Sequence, residues 1–157
     1  MTALSAILLT VLITSMPMKA IQVQKTGGPE ALTLVDLPVP QPKANEAVVK
    51  ISAAGVNFID VYFREGRYPA PVPFVAGQEA AGTVTEIGSD VKSLKPGDRV
   101  AYTGVMGSYA AYAAVPADRL VRVPNGITDQ QAAAACWSLI PEGTLTRRSA
   151  GTAEYSA

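Results

Sequence analysis

The chain has 157 residues, of which 48% are hydrophobic, and its 13 basic and 13 acidic side chains cancel. That length is enough for one domain with a hydrophobic core. A balanced charge without a basic stripe excludes a nucleic-acid-binding protein. The chain contains no histidine and a single cysteine, Cys136, which excludes Ser-His-Asp and Cys-His nucleophile pairs, histidine-containing zinc sites, multi-cysteine metal sites and an internal disulfide.

The chain begins with an apolar segment, ALSAILLTVLITS, at residues 3–15. The segment is too short to span a bilayer, which takes about 20 residues, and it lacks the basic residue that precedes the apolar core of a signal peptide. A cleaved signal and a buried or interfacial helix remain alternatives. Because Met16 and Met18 both precede a strand-like sequence, we favour an upstream translation start and treat residues 1–17 as an apolar N-terminal extension.

Short β-strands are predicted from residue 19 onward. The segments at residues 20–24 and 31–42 predict two strands, and the second ends in prolines, which cannot donate a hydrogen bond to a neighbouring strand. This second strand therefore lies at a sheet edge or leads into a loop. Residues 46–56 predict a third strand, whose loose alternation indicates that both of its faces are covered.

The hydrophobic spacing changes to that of a helix at residues 57–66. Apolar residues recur there at helical intervals, and Gly66 marks the end of the helix. Asp60 and Arg64 lie four residues apart, which predicts an ion pair on one helix face.

The second half of the chain continues with strands and tight turns. Residues 80–89 and 107–124 predict further strands and loops, and the sequence LKPGDRV at residues 94–100 predicts a tight turn. A second helix begins after Thr128, which forms a capping box with Gln131. Many short strands between glycines and prolines indicate a compact, mainly β barrel with a few helices.

Five segments of the chain carry a resemblance to a known family, and they occur in that family's order. They are GGPEAL at residues 27–32, AAGVNFIDVYFREGRYP at 53–69, PFVAGQEAAGTV at 73–84, VKSLKPGDRVAY at 91–102 and GSYAAYAAVPADRLVRVP at 107–124. In them the chain resembles the N-terminal catalytic domain of the medium-chain dehydrogenase/reductase superfamily, and most closely its zinc-independent, zeta-crystallin-like quinone oxidoreductases. The resemblance covers residues 18–135 and implies a mainly β fold, a GroES-like, partly open β-barrel with a few short helices, without a Rossmann domain.

Two positions in these segments bear on metal binding. Zinc-binding relatives carry Gly-His-Glu where this chain has Gly77-Gln78-Glu79, and they carry a cysteine ligand where it has Asn57. An amide is a poor ligand for zinc, which prefers thiolate and imidazole groups. The resemblance therefore implies a zinc-independent enzyme without metal ligands.

The resemblance implies an oxidoreductase that passes a hydride from NADPH to a quinone or to another conjugated carbonyl compound, such as an enone. It places Asn57 and Tyr62 at the nicotinamide end of the cofactor cleft and Tyr68 in the wall of the substrate site, and it assigns no catalytic side chain. It further implies a cytoplasmic protein that acts on a small molecule, without a membrane span or nucleic acid, and whose full-length relatives are homo-oligomers.

Each of these residues also has a structural interpretation. Asn57 stands where a strand meets a helix and is a candidate N-cap, and Tyr62 and Tyr68 are candidates for core packing. Glu79 is interpreted as holding a local hydrogen bond or ion pair rather than taking part in chemistry. Cys136 is interpreted as a small apolar residue rather than a reactive thiol.

The resemblance stops at residue 135. Residues 136–157 are predicted to form a polar, irregular tail, and the chain has no G-x-G-x-x-G turn of a Rossmann domain. These features predict a truncated catalytic domain that binds NADPH weakly and is inactive alone. The alternatives are a non-enzymatic GroES-like module for binding or oligomerisation and a truncated gene product without function.

Overall fold

The computed structural model describes residues 17–139, so the predicted extension up to residue 16 and the predicted tail from residue 140 lie outside the described residues, as does the side chain of Cys136. Within this range the chain forms eight β-strands and two α-helices. The strands are β1 (Pro17–Val23), β2 (Leu32–Pro38), β3 (Glu46–Ala54), β4 (Phe74–Val75), β5 (Glu79–Ile87), β6 (Arg99–Thr103), β7 (Tyr112–Pro116) and β8 (Val121–Arg122), and the helices are α1 (Phe58–Glu65) and α2 (Asp129–Leu139). The prediction of a mainly β fold with a few short helices is confirmed.

The strands form two antiparallel sheets. A three-stranded sheet has the order β2-β1-β4, and a five-stranded sheet has the order β7-β3-β5-β6-β8. A bridge between Ala20 and Ala110 joins the two sheets. The strand β2 lies at an edge, as its prolines predicted, because a proline has no N–H to offer to a further strand.

The core lies mainly in the five-stranded sheet. The large, fully buried side chains of its main cluster are Val49 on β3, Val84 on β5, Val100 and Tyr102 on β6, and Val115 on β7. Burying a valine side chain contributes about 1.5–3 kcal/mol to folding, so these strands supply most of the stabilisation that positions the loops at their ends.

The strand β3 changes its pattern of burial along its length. Ala47, Val48 and Val49 are all buried, as predicted for a strand covered on both faces. From Lys50 onward exposed residues alternate with half-buried ones, which is the pattern of a strand with one face open to solvent. The prediction therefore holds for the first half of the strand only.

Both helices begin at the residues that the sequence indicated, and the first also ends where it was predicted to, whereas the second extends into residues 136–139, which were predicted to be irregular. The helix α1 follows Asn57, whose backbone is extended, and it ends at Gly66, whose φ of 78° lies in the left-handed region that favours glycine. At the start of α2, the N–H of Gln131 donates to the Thr128 hydroxyl at 3.2 Å, and the N–H of Thr128 donates to the Gln131 side chain at 3.0 Å. This is the predicted capping box. The helix continues to Leu139, beyond the predicted domain boundary at residue 135.

The predicted ion pair between Asp60 and Arg64 is replaced by other contacts. Arg64 lies 3.5 Å from the carboxylate of Glu65, its neighbour in the chain. Asp60 instead accepts hydrogen bonds from the backbone of Asn57 and from the hydroxyl of Tyr109. Both side chains are buried, and the contact of Asp60 with Tyr109, 49 positions along the chain, is one that spacing along the helix could not indicate.

Candidate functional site

Polar side chains from three parts of the fold meet at the start of β5. The Nδ2 of Asn57, at the N-terminus of α1, donates a hydrogen bond of 2.8 Å to Oε2 of Glu79, the first residue of β5. The backbone N–H of Glu79 donates to the hydroxyl of Ser108, in the loop between β6 and β7, at 3.2 Å. Glu79 is only 2% exposed. We call Asn57, Asp60, Glu79, Ser108 and Tyr109 the polar junction.

Two glycines make room for the polar junction. Gly77 has a φ of 83°, and a β-carbon on it would overlap the Ser108 hydroxyl and the ring of Tyr109. A β-carbon on Gly55 would overlap the carboxylate of Glu79. The lack of a side chain at Gly77 therefore lets the loop with Ser108 and Tyr109 lie close to the start of β5, and the lack of one at Gly55 leaves space for the Glu79 carboxylate.

The other half of the polar junction is built around Asp60. Its Oδ2 accepts a hydrogen bond from the N–H of Asn57 at 3.0 Å and another from the hydroxyl of Tyr109 at 2.7 Å. Burial, together with this hydrogen bond to Asp60, raises the pKa of Tyr109 well above its usual range. The phenol therefore remains a proton donor at physiological pH and ties the loop to the first turn of α1.

Aromatic rings lie on and beside the same helix. The rings of Tyr62 and Tyr68 meet edge to face with their centroids 5.6 Å apart, and the guanidinium of Arg67 lies 5.3 Å from the centroid of the Tyr62 ring. Tyr62 is half-buried, whereas Tyr68 is 46% exposed, so Tyr68 is not a core residue. The structure thus brings together the two tyrosines that the resemblance assigned to the cofactor and the substrate.

Asn57 and Glu79 both occupy the structural positions that the sequence indicated for them. Asn57 occupies the N-cap position of α1, and its carboxamide contacts Glu79. The expectation that Glu79 holds a local hydrogen bond is confirmed. Ser108, which accepts from the backbone N–H of Glu79, and the pair of Asp60 and Tyr109 were not predicted as site residues, because no local pattern marks contacts between such distant parts of the sequence.

The residue in place of the histidine ligand of zinc-binding relatives is Gln78. It is 7% exposed, and within residues 17–139 its Nε2 has no hydrogen-bond partner. No three histidine, cysteine, aspartate or glutamate side chains in the described part of the chain are grouped so that they could hold a metal ion. Among the helices of this part, none is long and apolar enough to cross a membrane.

Comparison with known proteins identifies relatives of this domain. The family model of the alcohol dehydrogenase GroES-like domain matches residues 43–125. The quinone oxidoreductase of Pseudomonas aeruginosa is 46% identical over 118 residues, which cover 74% of this chain and 36% of the relative. Quinone oxidoreductase 1 of Escherichia coli is 44% identical over 117 residues, which cover 73% of this chain and 36% of the relative. The chain therefore spans well under half of the length of these relatives.

Solved structures agree with these matches. A mycobacterial quinone oxidoreductase superposes with a TM-score of 0.73 at 45% identity, over 75% of this chain and 37% of the other. The quinone oxidoreductase of Escherichia coli in complex with NADPH superposes with a TM-score of 0.72 at 43% identity, over 74% of this chain and 36% of the other. The predicted GroES-like fold and the resemblance to the N-terminal part of quinone oxidoreductases are confirmed.

Proposed function

The chain belongs to the alcohol dehydrogenase GroES-like domain family, and from that membership we propose that it is the substrate-side catalytic domain of a quinone oxidoreductase. The proposed reaction is the zinc-independent transfer of a hydride from NADPH to a quinone or to another conjugated carbonyl compound. We place it in the cytoplasm and expect the complete enzyme to be a homo-oligomer.

The single observation that carries the proposal is the fixed carboxamide of Asn57. Its Nδ2 donates one hydrogen bond, to Glu79, and an amide nitrogen carries two hydrogens. The second hydrogen suits the carboxamide oxygen of a nicotinamide ring, and Tyr62, whose ring is half-buried, lies on the helix that Asn57 begins. When bound, NADPH supplies the hydride, while these side chains bind and orient the reacting groups. We assign Tyr68, which packs against Tyr62, to the substrate wall.

The donor set also supports chemistry without zinc. A zinc site of this family needs a thiolate and an imidazole, and the matching positions hold Asn57 and Gln78. The carboxamide of Asn57 is already engaged with Glu79. A quinone accepts electrons readily, so the proposed reaction has no need of a metal ion to polarise the substrate.

The domain is expected to need a dinucleotide-binding domain for turnover. The chain contains no G-x-G-x-x-G turn, which in Rossmann domains binds the pyrophosphate of the cofactor at a helix N-terminus. We therefore propose that the 157-residue chain alone binds NADPH weakly and does not reduce quinones.

A chimera tests the proposed function. Residues 18–135 replace the matching segment of the Escherichia coli quinone oxidoreductase, which is 44% identical over 117 residues. We expect the chimera to oxidise NADPH in the presence of a quinone, to be insensitive to metal chelators, and to lose roughly tenfold in kcat/KM when Asn57 is replaced by alanine, as for one lost hydrogen bond.

The control is the parent enzyme, whose dinucleotide-binding domain is unchanged in the chimera. A chimera that shows the parent's circular dichroism and binds NADPH as the parent does, but leaves every quinone and enone offered to it unreduced, refutes the proposed function. A chelator-sensitive chimera refutes the zinc-independent mechanism alone.

A further inference from the structure

We infer that Glu79 is a positioning residue: its buried carboxylate holds the carboxamide of Asn57 in the one orientation that offers an amide hydrogen to the nicotinamide. The identity of that ligand rests on the proposed function. The interaction between the two side chains is a property of this chain and can be tested without any ligand.

The backbone N–H and the backbone carbonyl of Glu79 are both hydrogen-bonded. Its N–H donates to the Ser108 hydroxyl at 3.2 Å, and its carbonyl accepts from the N–H of Gly55 at 2.9 Å. The side chain lies in a space that is only 2% exposed. A carboxylate so enclosed has little freedom to move away from the hydrogen bond of 2.8 Å that it accepts from Nδ2 of Asn57.

The chemistry of the two groups then decides which way the carboxamide faces. A carboxylate oxygen is an acceptor, and so is Oδ1 of Asn57, whereas Nδ2 is a donor. Turning the carboxamide over would bring two acceptor oxygens together and lose the hydrogen bond between the two side chains. Glu79 therefore selects one of the two orientations and leaves the second Nδ2 hydrogen of Asn57 for a ligand.

The backbone of Asn57 is fixed independently of Glu79. Its N–H donates to Asp60 at 3.0 Å, and Asp60 is in turn held by Tyr109. Removing the carboxylate of Glu79 is thus expected to free the carboxamide of Asn57 without moving its backbone. This separates the orientation of the side chain from the integrity of α1.

Gly55 offers a second way to disturb the same contact. A β-carbon at this position would overlap Oε2 and the adjoining carbon of the Glu79 carboxylate and would force these atoms away from their present place. Its backbone is not in the left-handed region, so alanine is compatible with it. Gly55→Ala therefore displaces the carboxylate from Asn57 while the negative charge stays in the protein.

The first experiment is carried out on the full chain by NMR. Labelling asparagine with ¹⁵N gives three side-chain amide signals, from Asn45, Asn57 and Asn125. In the unaltered chain we expect the Asn57 hydrogens to exchange slowly with water. In Glu79→Ala and in Gly55→Ala this signal should shift and exchange at least about tenfold faster, as for a lost hydrogen bond to a charged group, while the other two stay in place.

Two further variants complete this experiment. Glu79→Gln keeps an acceptor oxygen of the same shape and should preserve much of the protection of Asn57. Glu86→Gln, an exposed position on the same strand, should change none of the three signals. If the Asn57 amide keeps its shift and its exchange rate in Glu79→Ala and in Gly55→Ala, Glu79 does not hold it and the inference is wrong.

The second experiment asks whether the orientation matters to the nicotinamide. The chimera described above is given NADPH that carries deuterium on one or the other face of C4, and the label is followed into the product. The unaltered chimera should transfer from one face. Glu79→Ala should transfer from both faces, and its kcat should fall roughly tenfold or more, with a smaller change in the KM for NADPH. Glu79→Gln should restore most of the face selectivity and most of the kcat.

The outcomes separate the inference from the proposed function. An unaltered chimera without activity overturns the proposed function and the ligand assigned to Asn57, while the NMR result still decides whether Glu79 holds the carboxamide. An active chimera in which Glu79→Ala folds but keeps its face selectivity and its kcat overturns the positioning role itself.

Discussion

At the scale of single residues, Gly77 is required for two separate reasons. Its φ of 83° is unfavourable for any residue with a β-carbon, and that β-carbon would also overlap Ser108 and Tyr109. Gly97 has a φ of 93°, and no atom lies near its missing β-carbon. Replacing it by alanine therefore costs only the strain of a positive φ, without any overlap. We predict that Gly97→Ala lowers the free energy of unfolding by about 1–2 kcal/mol and that Gly77→Ala lowers it by more. Urea denaturation of the full chain measures both, and equal losses would show that the overlap relaxes without cost.

The hydroxyl of Tyr109 is the second residue whose contribution can be isolated. It donates to the buried Asp60 at 2.7 Å, and Tyr109→Phe removes this donor without changing the ring. We predict a loss of about 1–3 kcal/mol in the free energy of unfolding, because a buried acceptor loses a hydrogen bond. Tyr112→Phe, at a half-buried tyrosine on β7, should stay within about 0.5 kcal/mol of the unaltered chain. A Tyr109→Phe loss no larger than that of the control would mean that water replaces the phenol.

Sequence patterns identified the residues whose partners are local. Asn57 was predicted as an N-cap because a strand ends and a helix begins there, and the structure places it at that position. The bond between Asp60 and Tyr109 joins residues 49 positions apart, and the contact between Asn57 and Glu79 joins residues 22 apart. No spacing rule encodes such pairs, because they depend on how the strands pair and on the space left by glycines.

At the scale of elements, the start of α2 is attached to β6 by an ion pair. Arg99 donates through Nε to Asp129 at 3.1 Å and through Nη2 to the carbonyl of Ile127 at 2.7 Å. The hydrogen bond from Arg99 is the main cause that lowers the pKa of Asp129 below its ordinary value of 3.8. The attachment therefore depends on pH.

This pair predicts a loss of stability in acid. Because the pKa of Asp129 is lower in the folded state, its contribution is fully present above pH 3.8 and is lost as the pH falls through the folded pKa. The pair is partly exposed, so we expect Asp129→Asn to cost about 0.5–1 kcal/mol at pH 7 and much less at pH 2. Urea denaturation at the two pH values measures this, with the more exposed Asp36→Asn as the control. A cost that does not change with pH would show that it does not come from the charge of Asp129.

The elements themselves were largely predictable, and the exceptions have a physical cause. The long strands β3 and β5 and the two helices carry their own hydrophobic spacing and capping residues. The strands β4 and β8 have two residues each, too few to show a period, and they exist through pairing with β1 and β6. The ion pair that attaches α2 joins residues 30 positions apart, so the cap of this helix could be predicted but its attachment could not.

At the scale of the whole molecule, the two sheets differ in the amount of core that they share. The main buried hydrophobic cluster belongs to the five-stranded sheet, whereas the buried Val23 of the three-stranded sheet lies outside that cluster, and backbone hydrogen bonds from Ile21 to Tyr109 and from Ala111 to Lys19 connect β1 to the segment before β7. Regions with fewer buried contacts open at lower free energy. We predict that native-state hydrogen exchange shows lower opening free energies for β1, β2 and β4 than for the five-stranded sheet.

Two valine substitutions test whether the sheets open separately. Val23→Ala, in a fully buried position on β1, should accelerate exchange mainly in the three-stranded sheet. Val84→Ala, in the core of β5, should accelerate exchange throughout, because it weakens the unit whose opening unfolds the whole molecule. Since the polar junction connects the loop before β7 with α1 and β5, its amides should follow the five-stranded sheet and resist Val23→Ala. If Val23→Ala accelerates every amide equally, the sheets unfold as one unit, and the site is then only as stable as the weaker sheet.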